Sequence, residues 1–105
     1  MTGKFLTTLG LARKAGRVIY GLDSVRAGIG TCALILLASD AGASVCREAR
    51  HLGEKHGVRV MTAQFPKTDI GRALGKSLCS IAGVTDTGFS KALISYGEAA
   101  EGVPH

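Results

Sequence analysis

The side chains able to do covalent or acid–base chemistry are sparse in this 105-residue chain, and they are badly spaced for it. Its carboxylates are Asp23, Asp40, Glu48, Glu54, Asp69, Asp86, Glu98 and Glu101. Most fall where helices should start or face solvent, so capping and charge solvation account for them. None of the serines (24, 39, 44, 77, 80, 90 and 95) lies in the G-x-S-x-G turn that exposes a nucleophile. Cys32, Cys46 and Cys79 include no C-x-x-C pair, and an odd number of cysteines does not build a disulfide framework. Apolar neighbours make them buried, reduced thiols. His51 and His56 are five apart, whereas a metal pair on one helical face needs a spacing of four; His105 is terminal. No catalytic residue, metal site or cofactor is expected.

One stretch imitates a phosphate-binding loop, Ile70-Gly71-Arg72-Ala73-Leu74-Gly75-Lys76-Ser77. That loop requires four residues between its glycines, and here there are three. It also joins a strand to a following helix, whereas Gly75-Lys76 should end a helix and enter a strand. A glycine-ended helix with close packing at Gly71 explains the residues better.

Charge is more informative. The net charge is +5 with a pI of about 9.5. Residues 1–31 hold Lys4, Arg13, Lys14, Arg17 and Arg26 against Asp23 alone, a local excess of +4. The rest of the chain is nearly balanced. A clustered basic patch is the footprint of a phosphate-backbone partner, although a solvated basic helix end has the same signature. Gly21 then enters a second helix, whose free N–H groups could face an anion. Gly21 would also let a partner's backbone approach.

The elements that position these residues alternate. Hydrophobic residues make up 46% of the chain, enough for a core and too much for disorder. The longest apolar run, residues 33–38, falls well short of the ~20 residues needed to span a bilayer, and the N-terminus lacks a signal-peptide pattern. A cytoplasmic protein with no membrane association is expected. Phe5, Leu6, Leu9 and Ala12 mark a first helix that closes at Arg13-Lys14-Ala15-Gly16. A strand at 17–20 follows, then a helix capped by Asp23 or Ser24 and running to about Gly30. Residues 33–38 suit a strand covered on both faces. Ser44 should cap a helix over 45–56, with Val45, Ala49 and Leu52 inward and Gly57 at its end. Strands at 58–61 and 78–84 flank a helix over 69–74 capped by Thr68. Asp86 caps a last helix carrying Phe89, Ala92, Leu93 and Tyr96. The tail after Gly97 should fray. The order αβαβαβαβα gives a three-layer α/β/α sandwich around a small four-stranded mixed sheet, with one domain over 1–105 and an ordered core over about 4–97.

Four stretches together resemble a known family. They are Leu9-Gly10-Leu11-Ala12-Arg13-Lys14-Ala15-Gly16-Arg17; Gly21 leading into the second helix; Leu36-Leu37-Ala38-Ser39-Asp40-Ala41; and residues 70–76 with Val84-Thr85-Asp86-Thr87-Gly88-Phe89-Ser90-Lys91. The chain is similar over about residues 4–97 to the kink-turn RNA-binding family of ribosomal large-subunit proteins seven-Ae and thirty-e, especially its small bacterial members. The resemblance implies an α/β/α sandwich that binds structured RNA, ribosomal or other kink-turn-like RNA, as a ribosome-associated or ribosomal-protein-like member. In the family the second helix begins beside sheared G·A pairs of a bent duplex, and the loop before the last strand covers an extruded base. Position by position, Gly21 matches the family's glycine. Asp23 stands where many members have Asn, Ser24 where they have Glu, and Ala27 where they have Lys.

The implied RNA-binding set is Arg13, Lys14, Arg17, Gly21, Asp23, Ser24, Arg26 and Lys76, in a chain expected to be monomeric. Two other readings compete with it. A protein-interaction module could keep this fold without the RNA site, as Ser24 and Ala27 suggest. A nucleotide-binding or catalytic α/β protein would rest on the near-miss at residues 71–77.

Overall fold

Glycine stops and cap residues cut the chain into short elements, each too small to stand without the others. The computed structural model describes residues 2–101. The first half holds α1 (Thr2–Lys14), β1 (Val18–Tyr20), α2 (Leu22–Ala27), a 3-10 turn (Ile29–Thr31) and β2 (Leu34–Leu37). The second half holds α3 (Ala43–His56), β3 (Arg59–Thr62), α4 (Lys67–Ala73), β4 (Ile81–Val84) and α5 (Thr87–Glu101).

The strands form one mixed sheet in the order β1-β4-β2-β3. β4 pairs antiparallel with both β1 and β2, so Val84 lies opposite Val18 on one side and Leu34 on the other. β2 and β3 run parallel, with Leu34 opposite Arg59.

Strand alternation sorts the core into two layers. Leu34 and Leu36 of β2 pack with Phe5, Leu9, Ile70, Leu74 and Leu93, from α1, α4 and α5. Ile35 and Leu37 turn the other way, to Val25 of α2, Ile29, and Ala49 and Leu52 of α3. All four β2 side chains are buried, as a strand covered on both faces requires. The fold is a three-layer α/β/α sandwich with a four-stranded mixed sheet. In β4, Gly83 makes room beneath α2: a Cβ there would stand 2.6 Å from the Cys32 Sγ and 3.1 Å from Ile19.

Several element ends differ from the sequence expectation. α2 is entered at Gly21 with no side-chain cap; Asp23 and Ser24 lie inside the helix, which stops at Ala27 before the 3-10 turn. α3 starts at Ala43 behind Gly42, so Ser44 does not cap it. β3 is shifted one residue onward. α4 begins at Lys67, and its first-turn donor is satisfied by Asp40 from a distant loop: the Lys67 N–H donates to Oδ1 at 2.8 Å, a role assigned to Thr68 from sequence. β4 starts at Ile81 rather than Leu78, because residues 76–79 are tied to α4 instead of to a strand. α5 continues through Glu101 where fraying was expected after Gly97, and residues 102–105 of that tail lie outside the described residues. Elsewhere local signals hold. Gly57 closes α3 at φ 68°, and the Asp86 Oδ2 accepts the Phe89 N–H at 2.8 Å.

Candidate nucleic-acid interface

Three chain segments meet at one end of the sheet. The first is the end of β1, where Tyr20 runs into Gly21. Gly21 adopts φ 94° and ψ 147°, and its N–H donates to the Ile81 carbonyl at 3.0 Å. This joins the entry of α2 directly to the start of β4. The second segment is the loop of residues 74–80 between α4 and β4. Its Lys76 N–H donates to Gly71 at 2.7 Å and its Cys79 N–H to Lys67 at 3.1 Å. These bonds hold the loop against α4. The third is the C-terminal turn of α1, whose Arg13 and Lys14 suit the negative end of the helix dipole.

Side chains bridge the three. The Lys76 ammonium stands 4.6 Å from the centre of the Tyr20 ring, close enough for a cation–π contact. The Arg13 guanidinium lies over Gly75, where a Cβ would come within 2.8 Å of it. Leu78, with 58% of its surface exposed, projects from the same loop. Its backbone rests on Gly71, where a Cβ would sit 2.8 Å from the Leu78 Cα. Gly71 and Gly75 therefore serve loop packing and helix termination, with Gly75 at φ 74°. Beneath the loop, the Cys79 thiol is buried, and that burial pushes its pKa up, opposed by backbone hydrogen bonding at Ile81 and Gly21 and by the Lys76 charge. The group is a neutral packing element and a poor nucleophile.

The remaining sequence candidates spread out around this centre. Lys14 is exposed at the end of α1. Arg17 precedes β1, and its carbonyl accepts the Thr85 N–H at 2.9 Å. It is one short strand away from Gly21, roughly 13 Å at ~3.3 Å per residue. Among the described residues no carboxylate pairs with Arg13, Lys14, Arg17 or Lys76. Arg26 is different. Its guanidinium meets the Asp23 carboxylate at 3.1 Å and the Glu48 carboxylate of α3 at 3.4 Å. Its charge is thus compensated within the protein, and so is that of Asp23. Ser24 is exposed and free of any cap role.

Sequence reasoning missed Tyr20 as a site residue. Its signal was the aromatic at the end of a short strand, next to the glycine that turns into α2. Lys76 belongs to the set expected from sequence, whereas Leu78 stands there as the start of a strand. All three cysteines are free, and no group of three or more His, Cys, Asp or Glu that could hold a metal ion occurs among the described residues. Nor is any described helix long and apolar enough to cross a membrane.

No protein-family model and no curated protein sequence matches the chain. Solved structures do. A protein of unknown function from Bacillus halodurans superposes with a TM-score of 0.82 at 31% identity, over 88% of this chain and 94% of the other. A Giardia lamblia 15.5kD RNA-binding protein superposes with a TM-score of 0.73 at 16% identity, over 93% of this chain and 85% of the other. The second likeness is one of fold.

Proposed function

We propose that this chain, which belongs to one family with the Bacillus halodurans protein, binds structured RNA without catalysis at the face where α1, β1 and the loop before β4 meet. The observation that carries the reading is the convergence of Arg13, Lys76, Tyr20, Gly21 and exposed Leu78 from three segments, with no carboxylate paired to either cation among the described residues. Sharing a fold with the Giardia lamblia RNA-binding protein supports it.

The chemistry suits a sharply bent duplex. A bend crowds phosphates, and Arg13, Lys14 and Lys76 supply the cations that relieve it. A bend also unstacks a base, and exposed Leu78, on the loop whose Lys76 covers Tyr20, offers an apolar surface to cover one. The Gly21 turn leads α2 into the groove, where Asp23 and Ser24 can accept hydrogen bonds from base amino groups. Arg17 contacts phosphate further along the strand. Arg26 holds α2 against α3 and contributes least. The partner is a ribosomal or other kink-turn-like RNA, bound in the cytoplasm by a monomer.

A gel shift comparing a kink-turn RNA with a straight duplex of equal length, across salt, tests this. The bent RNA is expected to bind more tightly. Arg13→Ala and Lys76→Ala should each lower the salt slope by about 0.7–0.9. Equal, weak binding to both RNAs overturns the reading. The internal pairing of Arg26 with Asp23 and Glu48 favours the competing reading, a protein-interaction module, for which a partner captured despite nuclease treatment is the sign.

A further inference from the structure

The outer face of α3 carries a second concentration of positive charge that the first face does not use. At 100° per residue, Arg47, Arg50, His51, Glu54 and Lys55 fall within about 140° of arc. All five are exposed. Arg47 and Lys55 lie two turns apart on this face, with Arg50 and Glu54 as an i, i+4 pair beside them. Closing the last turn with Lys55 and His56 complements the helix dipole, but Arg47 and Arg50 lie too far from the C-terminus for that.

The local acids do not compensate. Glu48, at the edge of this face, is engaged by Arg26 of α2 at 3.4 Å. Glu54 is the single acid on the face, and no ion pair engages Arg47, Arg50 or Lys55 among the described residues. Three cations against one acid leave the face a net +2.

Its surroundings narrow the kind of partner. Among the described residues the exposed large hydrophobic side chains are Leu11 and Leu78, neither of them on α3, so the face itself offers no large apolar anchor for a membrane or a protein interface. No aromatic residue lies on α3 either, so bases cannot stack there. What remains is a straight ionic contact. From Arg47 to Lys55 the helix rises about 12 Å, long enough to reach more than one phosphate of a duplex strand. Beside it, Arg50 borders a shallow groove of about 340 Å³ against edge strand β3, lined also by Gly53, Glu54, Val58, Val60 and Thr62. β3 and β1 are opposite edges of the sheet. The α3 face and the face around Tyr20 therefore lie toward opposite edges of the sheet, about three strand spacings or roughly 14 Å apart.

We infer that the exposed face of α3 is a second, sequence-independent binding surface for the phosphate backbone of duplex RNA, with Arg47, Arg50 and Lys55 as its contacts. It shares its partner class with the proposed function, and none of its residues.

The test uses the full chain with a straight 40-base-pair RNA duplex and, in parallel, a kink-turn RNA. The triple variant R47A/R50A/K55A is compared with R13A/K76A. Each removes exposed cations, and an unchanged thermal midpoint confirms folding. On the straight duplex, losing three phosphate contacts should lower the salt slope by about 2.7, so affinity falls about 40-fold less than wild type between 50 and 200 mM salt. The preference of the α3 variant for kink-turn RNA should persist. An unchanged slope in the α3 variant overturns the inference. An unchanged α3 slope with loss of kink-turn preference in R13A/K76A overturns the inference and leaves the proposed function standing. A lowered straight-duplex slope in the α3 variant, with no kink-turn preference in any form, supports the inference and overturns the first reading.

Discussion

Gly21 is a residue whose identity is set by backbone conformation rather than by space. A Cβ there meets nothing within 4 Å, yet φ 94° with ψ 147° is a region that L side chains avoid. Gly21→Ala should therefore cost about 1–3 kcal/mol in urea unfolding and weaken kink-turn binding further by misdirecting α2. Unchanged stability would show that the turn is not under this constraint. Cys79 supports a prediction of a different kind. Burial raises its thiol pKa above the ordinary 9.0, so the native state keeps its proton to higher pH than the unfolded chain does. Stability should then decline as pH climbs through and beyond 9, and the decline should be smaller in Cys79→Ala. Parallel pH profiles of the urea midpoint in the two proteins would refute it. The same burial should leave Cys79 unalkylated by iodoacetamide until the protein unfolds.

Between α4 and β4, a single packing contact fixes the loop on which the proposed site depends. Because a Cβ on Gly71 would press on the Leu78 backbone at 2.8–2.9 Å, Gly71→Ala should displace the loop. Kink-turn affinity should fall by a larger factor than for Gly3→Ala, where a Cβ meets nothing within 4 Å, as measured by gel shift. Equal affinities for the two variants would detach the loop from binding. This loop also marks where the sequence stops being legible. Leu78 and Cys79 extend the apolar pattern of β4, but the Lys76 and Cys79 N–H groups are spent on α4 carbonyls, a tertiary choice no local pattern reveals. β2 was legible because Leu34–Leu37 is apolar without alternation, and the end of α3 because Gly57 has to take a left-handed conformation. The caps of α3 and α4 misled: Ser44 and Thr68 have the right chemistry, yet Gly42 and a carboxylate 27 positions away hold those places. In the candidate site, Arg13 and Lys76 were visible as charge. The neutralisation of Arg26 was not, because Glu48 reaches it from another helix. Tyr20 became a site residue only when β1 placed it beneath Lys76.

Taken whole, the molecule has two apolar layers that share one strand. Leu36 belongs to the layer under α1, α4 and α5, and Ile35 to the layer under α2 and α3. Neither layer can dissolve without exposing β2, which is buried on both sides, so the two should unfold together. Leu36→Ala and Ile35→Ala should each cost about 2–5 kcal/mol. For a chain near 100 residues, that lowers Tm by roughly 4–8 °C for each kcal/mol. Both variants should retain one transition by circular dichroism and by tyrosine fluorescence, whose two probes, Tyr20 and Tyr96, both pack against the Leu36 layer. Both side chains are buried and present no surface to RNA. A ligand that binds only the folded state adds about 2.7 kcal/mol at a hundredfold excess over Kd, wherever the lesion lies. Saturating kink-turn RNA should thus raise the Tm of both variants by similar amounts, above what an equal mass of straight duplex achieves. Recovery of Leu36→Ala alone, with Ile35→Ala melting in two steps, would show that the layers are separate folding units and that RNA reports on only one of them.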